Sequence, residues 1–388
     1  MLLSFNWQTN YLLIPLAMAI MFDIRYIVTD SYKTIICPDH DDDDKTMNTG
    51  IAILNTMIMF LGQTTNGLLE LLRPNSKNKG KRIVSKYQYL WLFVAASLDL
   101  ASFIFLNLII GASVGDLSLV LRMSQTLFIG LLMYPILKAK LYKHNILAIS
   151  VITFCLIIFI IAEGNSGNAG KAGNAWNNIL NVFYYLISYF LNSFRIVVMK
   201  VLMEKYFYST YKELLIIGII GNVEILIGLF FEMIIHTKDD NSYLYTIFII
   251  IIPQIFSQFS SSAYFITMYL SGALFNTFGT LTNELLSSAH VGIGDTLAGL
   301  MYVFVKKVNL EVGYIILDII LNIIILISCF VFTEIIILHF WNLKRDTTNA
   351  IADRANEERA HSLIFINNLD TKNEDNQEEE EEEEDHIV

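Results

Sequence analysis

Residues 126–149 read TLFIGLLMYPILKAKLYKHNILAI, and residues 296–317 read TLAGLMYVFVKKVNLEVGYIIL. Each runs Thr-Leu, then Gly-Leu and a Met-Tyr pair, then an apolar turn, two lysines and a second apolar stretch. An offset of about 168 residues is worth about five membrane crossings, and an odd number per repeat sets two halves in opposite orientation. The chain is therefore expected to be an inverted repeat. Just upstream, LVLRMSQ (119–125) places Arg122 beside the apolar run. Lipid does not solvate a permanent charge, so this arginine is expected to face a watery cavity or an ion-pair partner on another helix.

Composition agrees with membrane residence. Of 388 residues, 54% are hydrophobic and 16% charged, and the mean hydropathy is +0.52. A soluble globule needs more charged surface than that, whereas lipid solvates an apolar exterior. The formal charge of −11 is local: residues 342–388 hold five Lys/Arg and fifteen Asp/Glu, about −10, which leaves about −1 for 1–341. The acidity belongs to a C-terminal tail expected to be disordered. Three cysteines without paired spacing give neither a disulfide framework nor a metal site.

Runs of about 20 residues are needed to cross the hydrocarbon. They fall at 10–29, 48–72, 89–111, 114–137, 145–163, 178–201, 213–236, 263–283, 288–305 and 312–340. The first has no basic region before it and no small-residue cleavage site after it, so it reads as a span and not as a leader. The segment 243–260 is broken by Pro253, Gln254 and Gln258 and reads as an interfacial or re-entrant helix. The fold class is thus an all-α polytopic membrane protein with ten transmembrane helices in two inverted five-helix repeats. The first repeat is expected over 1–163 and the second over 178–341, with a flexible connector at 164–177 and the acidic tail at 342–388. Basic residues cluster at 73–86, 138–144 and 195–212, after the second, fourth and sixth spans, which puts both termini in the cytosol. Lys306 and Lys307 oppose that charge rule but mirror Lys138 and Lys140 in the repeat. The loop DHDDDDK (39–45) reads as a solvated acidic stretch.

Several stretches carry a resemblance. MFLGQTTNGLLELL (59–72), SLDLASFIFLNLIIGAS (97–113), LRMSQTLFIGLLMYPILKAKLYKHNILAI (121–149), EKYFYSTYKELLIIGIIGNVEILIG (204–228) and NELLSSAHVGIGDTLAGL (283–300) resemble the drug/metabolite transporter superfamily. Within it the chain is similar to the nucleotide-sugar-transporter-like members, and to solute carrier family 35, subfamily F, sixth-member type. Gln63 stands where that group usually has an acid. Met123 stands for a glycine, and His290 and Ala298 stand where two basic residues are expected. The resemblance implies ten helices in two inverted repeats, an organic solute that is anionic and phosphate-bearing, and residence on the Golgi, lysosome or vacuole.

Ionisable and amide residues inside spans are the candidate site. Arg122 is the expected anion clamp, since a guanidinium grips phosphate or carboxylate with two prongs; its structural alternative is an ion pair with Asp99. Asp99 and Asn107 share a helical face. Gln63 and Asn66 lie one turn apart, and Gln125 follows Arg122 by three residues. Glu224 is expected as a substrate contact or proton-coupling group, and Asp295 as a contact or a helix cap. Asp23 and Arg25 read as an interfacial pair, Lys200 and Lys205 as snorkelling charges, and Asp318 and Glu334 as polar points in the last span. The expected activity is secondary transport of a small organic solute by alternating access. The alternatives are a proton-coupled exporter of amino acids, peptides or drugs, and a non-transporting membrane interaction protein that docks through its tail. No catalytic spacing, cofactor fingerprint, metal ligand set or nucleic-acid surface is present, so neither an enzyme nor a cofactor is expected. The partners are the solute and the lipid bilayer, with a homodimer allowed.

Overall fold

The computed structural model describes residues 3–5, 13–25, 45–69, 86–110, 121–165, 175–206, 208–235, 242–257, 259–305 and 312–339, together with Leu343 and Thr347. The acidic loop, the connector, Lys306, Lys307 and nearly all of the tail lie outside the described residues, as do the side chains of Asn107 and Asp318. In chain order the elements are β1 (Leu3–Phe5), α1 (13–25), α2 (Lys45–Gly67), α3 (Lys86–Ile110), α4 (Ser124–Leu137) and α5 (Lys143–Asn165). There follow α6 (Ala175–Tyr206), α7 (Thr210–Ile235), α8 (Tyr243–Ser257), α9 (Phe259–Leu285), α10 (Ser288–Val305), α11 (Val312–Phe332) and β2 (Ile336–Leu338). The protein is an all-α membrane protein: a helix satisfies every backbone N–H and C=O internally, which an apolar solvent demands. Among the described residues, Tyr87–Leu106, Lys143–Ile161, Val182–Tyr206 and Thr210–Ile235 are long and apolar enough to cross a bilayer, and the α8–α9 pair makes a fifth if counted as one span.

Polarity is distributed inside out. Phe93, Ile104, Phe154, Ile161, Ile227 and Phe230 are exposed, while Gln63, Asp99, Arg122, Glu213, Asp295 and Asn322 are buried. A soluble fold does the reverse. Two apolar clusters dominate the packing. One joins α2, α3, α6, α7 and α8 through Phe60, Leu92, Leu202, Ile217 and Ile251. The other joins α5, α6, α10 and α11 through Ile152, Tyr185, Ile293 and Ile325. Among the described residues, only α6 contributes heavily to both, and its polar face carries much of the site described below.

Two boundaries depart from the sequence expectation, and the segment at 243–257 keeps to its expectation of a separate helix. The helix expected over 312–340 ends at Phe332; Glu334 takes a φ of 60°, and the chain enters β2, which pairs antiparallel with β1 (Leu3 opposite Leu338). Segment 243–257 is helical, contains one π turn at Thr246–Ile251, and meets the following helix at 110°, so the two do not form one straight rod. The sixth helix continues to Tyr206, which draws Arg195 and Lys200 out of the basic loop assigned to them and into the helix interior.

The crossing of α2 and α7 requires glycine. A Cβ on Gly218 would stand 2.7 Å from both the Phe60 carbonyl oxygen and the Thr64 amide nitrogen, closer than backbone allows. At Gly228, on the same helix, an added Cβ meets nothing within 4 Å. Gly218→Ala is expected to cost about 1–3 kcal/mol by forcing the helices apart. Gly228→Ala is expected to be neutral or to stabilise by up to about 1 kcal/mol through helix propensity. Thermal unfolding of the two variants in detergent checks the contrast.

Candidate functional site

The site is built from side chains that an apolar body tolerates only in pairs. One helical turn before α4, Arg122 donates from Nε to Asp295 Oδ1 at 2.8 Å, and its Nη2 engages the same oxygen. Its guanidinium also lies over the Phe22 ring, 3.3 Å from the centroid, and 5.4 Å from that of Phe275. Arg122 is 5% exposed and Asp295 0%, so neither charge has water to turn to. Asp295 lies inside α10, not at its end, and Asp295 rather than Asp99 is the partner of Arg122.

Asp99, on α3, has a different cation. Arg195 Nε stands 3.3 Å from Asp99 Oδ1, and Arg195 Nη1 donates to Oδ2 at 3.4 Å. Gln63 Nε2 donates to the same Oδ2 at 3.2 Å. The network continues along α6: Arg195 Nε donates to Asn192 Oδ1 at 3.1 Å, and Asn192 Nδ2 donates to Gln125 Oε1 at 3.0 Å. Gln63, Asp99, Arg195, Asn192 and Gln125 thus form one polar chain across α2, α3, α6 and α4.

A cavity opens against this chain. It is a narrow cleft among α1, α4, α6, α9 and α10. Its polar wall consists of Gln125, Asn192, Arg195, Asn276, Thr280, Asn283 and Asp295, and its apolar wall of Met18, Ile196, Met199, Phe275 and Val291. Convergent polar groups facing an apolar wall are what orients a small molecule in a binding site.

Of the residues expected from the sequence, Gln125 and Asp295 line the cavity directly. Arg122 and Asp99 support it by pairing with Asp295 and Arg195 in its wall, and Gln63 supports Asp99 in turn. Asn66 instead ties α2 to α9, donating to the Ala273 carbonyl at 2.9 Å and to Thr277 Oγ1 at 2.7 Å. Glu224 accepts from Ser97 Oγ at 2.6 Å on the α3–α7 seam and does not reach the cavity. The Asp23–Arg25 pair does not form: both Asp23 oxygens are buried without a hydrogen-bond partner, while Arg25 turns to Met59 Sδ and the Phe103 ring. Lys200 does not snorkel outward. It is buried and donates to the Asn283 carbonyl at 2.7 Å, where a cation suits the exposed carbonyls of a helix C-terminus. Arg195 and Lys200 were missed as site residues because they fall in the basic cluster at 195–212, and Asn192 because a single amide in a span does not stand out. The available signal was the spacing Ser188, Asn192, Arg195, Met199, three and four residues apart along one face of α6.

No family model matches the chain, and no curated protein does. Twenty-three chains of solved structures do match. One of them, described as "Crystal structure of protein", has 11% sequence identity and a TM-score of 0.51, and the match covers 84% of this chain and 96% of that one. At that identity the likeness concerns the fold alone.

Removing one partner of a buried ion pair strands the other, which typically costs about 3–5 kcal/mol. Arg122→Met and Asp295→Leu are each expected to lose that much stability, and the double variant is expected to lose less than either single one. A double-mutant cycle of thermal unfolding in detergent checks this; additive losses would mean that the two side chains do not interact.

Proposed function

We propose that this protein is a secondary transporter that moves a small polar organic solute by alternating access around the cavity between α1, α4, α6, α9 and α10. The observation that carries the reading is the wall of that cavity, where Arg195 and Asp295 stand, each held by a buried partner, inside a body whose outside is hydrocarbon-compatible. Ionisable groups buried in spans and turned to a cavity mark solute or ion pathways.

The ten-crossing inverted repeat belongs to this proposal, and three features support it. Pairing of β1 with β2 brings the start of the helical body beside its end, as an even number of crossings requires. Packing is reciprocal: α2 meets α7, α4 meets α10 and α5 meets α11, while the α3–α7 contact has its mirror in α9–α2. The echoing threonines also converge, Thr126 Oγ1 lying 3.7 Å and Thr296 Oγ1 3.6 Å from Cys329 Sγ. The likeness to drug/metabolite transporters and the endomembrane location with cytosolic termini rest on the sequence resemblance and the basic loops.

Charge balance bears on the solute. Arg122 and Arg195 are matched by Asp295 and Asp99, so the cavity offers amides and hydroxyls around a neutral ensemble. An uncharged or zwitterionic solute fits without breaking a pair. A phosphate-bearing solute must take Arg195 from Asp99, a competition between two anions for one guanidinium.

Ligand-dependent thermal stabilisation tests the reading with UDP-glucose, AMP, L-glutamine, D-glucose and tetraphenylphosphonium. A solute that binds only the folded state adds about 2.7 kcal/mol at a hundredfold excess over Kd. At least one class is expected to stabilise the wild type, and the gain is expected to vanish in Gln125→Ala and Asn276→Ala. Equal responses from all three proteins would place binding outside the cavity.

A further inference from the structure

Below the cavity, at the start of α7, lies a group of charges that transport of a solute does not by itself require. Glu213 is fully buried, and neither of its carboxylate oxygens has a hydrogen-bond partner. The charged groups whose fields reach it are Glu284 of α9 and Arg195 and Lys200 of α6. None is at its disposal. Glu284 accepts from the Thr210 backbone N–H at 3.2 Å and from the Thr210 hydroxyl, so it is engaged in capping the N-terminus of α7. Lys200 donates to the Asn283 carbonyl at 2.7 Å and the Glu284 carbonyl at 3.4 Å, and stands 3.5 Å from Glu204. Arg195 is engaged by Asp99 and Asn192.

An ionised carboxylate with no donor, buried beside a second carboxylate, is strongly disfavoured, and a bound proton removes the cost. Loss of that proton would leave a negative charge whose nearest sources of compensation are Lys200 and Arg195. Drawing on Arg195 loosens the Asp99 pair in the cavity wall. Drawing on Lys200 releases the α9 carbonyls next to Asn283, which lines the same cavity. Proton occupancy at Glu213 and the shape of the cavity are therefore linked through two side chains.

We propose that Glu213 is a proton-binding site coupled to the cavity, so that solute crosses together with, or in exchange for, a proton. This rests on the transport reading above. In each cycle the Glu213 carboxyl releases one proton to water and takes one back, and no other bond changes. Glu224, the group expected for proton coupling from the sequence, differs in having the Ser97 hydroxyl as a donor.

Infrared spectroscopy of the solute-free protein at neutral pH comes first. A component of the protonated-carboxyl carbonyl-stretch band is expected in the wild type and in Glu284→Gln, and is expected to be missing in Glu213→Gln. A wild-type spectrum identical to that of Glu213→Gln overturns the proposal. Proteoliposomes then take the solute from the panel above that stabilises most. The ratio of uptake with an imposed pH gradient to uptake without one is expected to be several-fold for wild type and one for Glu213→Gln. Should Glu213→Gln take up nothing, Glu213→Asp is expected to restore a gradient-sensitive rate, and failure to do so counts against the proposal. Wild-type uptake indifferent to the gradient overturns the coupling while leaving transport intact. If no solute exchanges in wild-type vesicles, the transport reading fails and the coupling falls with it, while the infrared band still reports the proton.

Discussion

A guanidinium surrounded by apolar side chains gains most from an anion brought to it, and for Arg122 and Arg195 that anion comes from the other half of the chain. Arg122 precedes α4 and finds Asp295 on α10; Arg195 lies on α6 and finds Asp99 on α3. Each pair trades the desolvation of two ions for one close contact, a balance that contributes little net stability but penalises any arrangement in which the partners are apart. The two pairs therefore act as registers. They specify which helices of the first half face which helices of the second, in a body where apolar surface alone would accept many packings.

Where the halves meet without charge, small residues and amides do the fitting. Gly218 and Gly221 let α7 settle against Phe60 and Thr64 of α2. Asn66 reaches across to backbone and hydroxyl acceptors on α9. Lipid is as apolar as leucine, so hydrophobicity gives two spans no reason to associate; close van der Waals contact and interhelical hydrogen bonds supply it. The same logic leaves the outer faces of α3, α5 and α7 crowded with exposed isoleucine, leucine and phenylalanine.

The cavity sits at the least uniform part of this packing, where α6 turns its polar face inward. Its charges are committed before any solute arrives: two arginines and two aspartates cancel, and Lys200 holds the carbonyl end of α9. Glu213 on α7, like Asp23 on α1, is a buried carboxyl with no hydrogen-bond donor. If the two halves rock against one another, the inter-half ion pairs are the contacts that must lengthen or change partners. The cavity wall and the moving interface are then the same set of side chains.

The sequence alone determined the solvent in which this chain folds and roughly where its long helices lie. Those features are local: an apolar run of sufficient length is helical in lipid whatever its neighbours are, and α10 falls at 288–305 as its hydropathy demands. It also marked Arg122, Asp99, Gln63, Gln125 and Asp295 as unusual, because an intramembrane polar residue is conspicuous in any apolar stretch. Tertiary structure decided their partners. Arg122 and Asp295 are 173 positions apart, and nothing local distinguishes Asp295 from Asp99 as the nearer anion. Arg195 and Lys200 read as loop charges until α6 continues past them, since charge near a span end carries no information about which way the side chain turns. The pairing of Leu3–Phe5 with Ile336–Leu338 was equally beyond reach of the sequence, as was the 110° angle at which α8, itself expected as a separate helix, meets α9. Three residues have no pattern of their own, and a bend is set by what the two helices pack against.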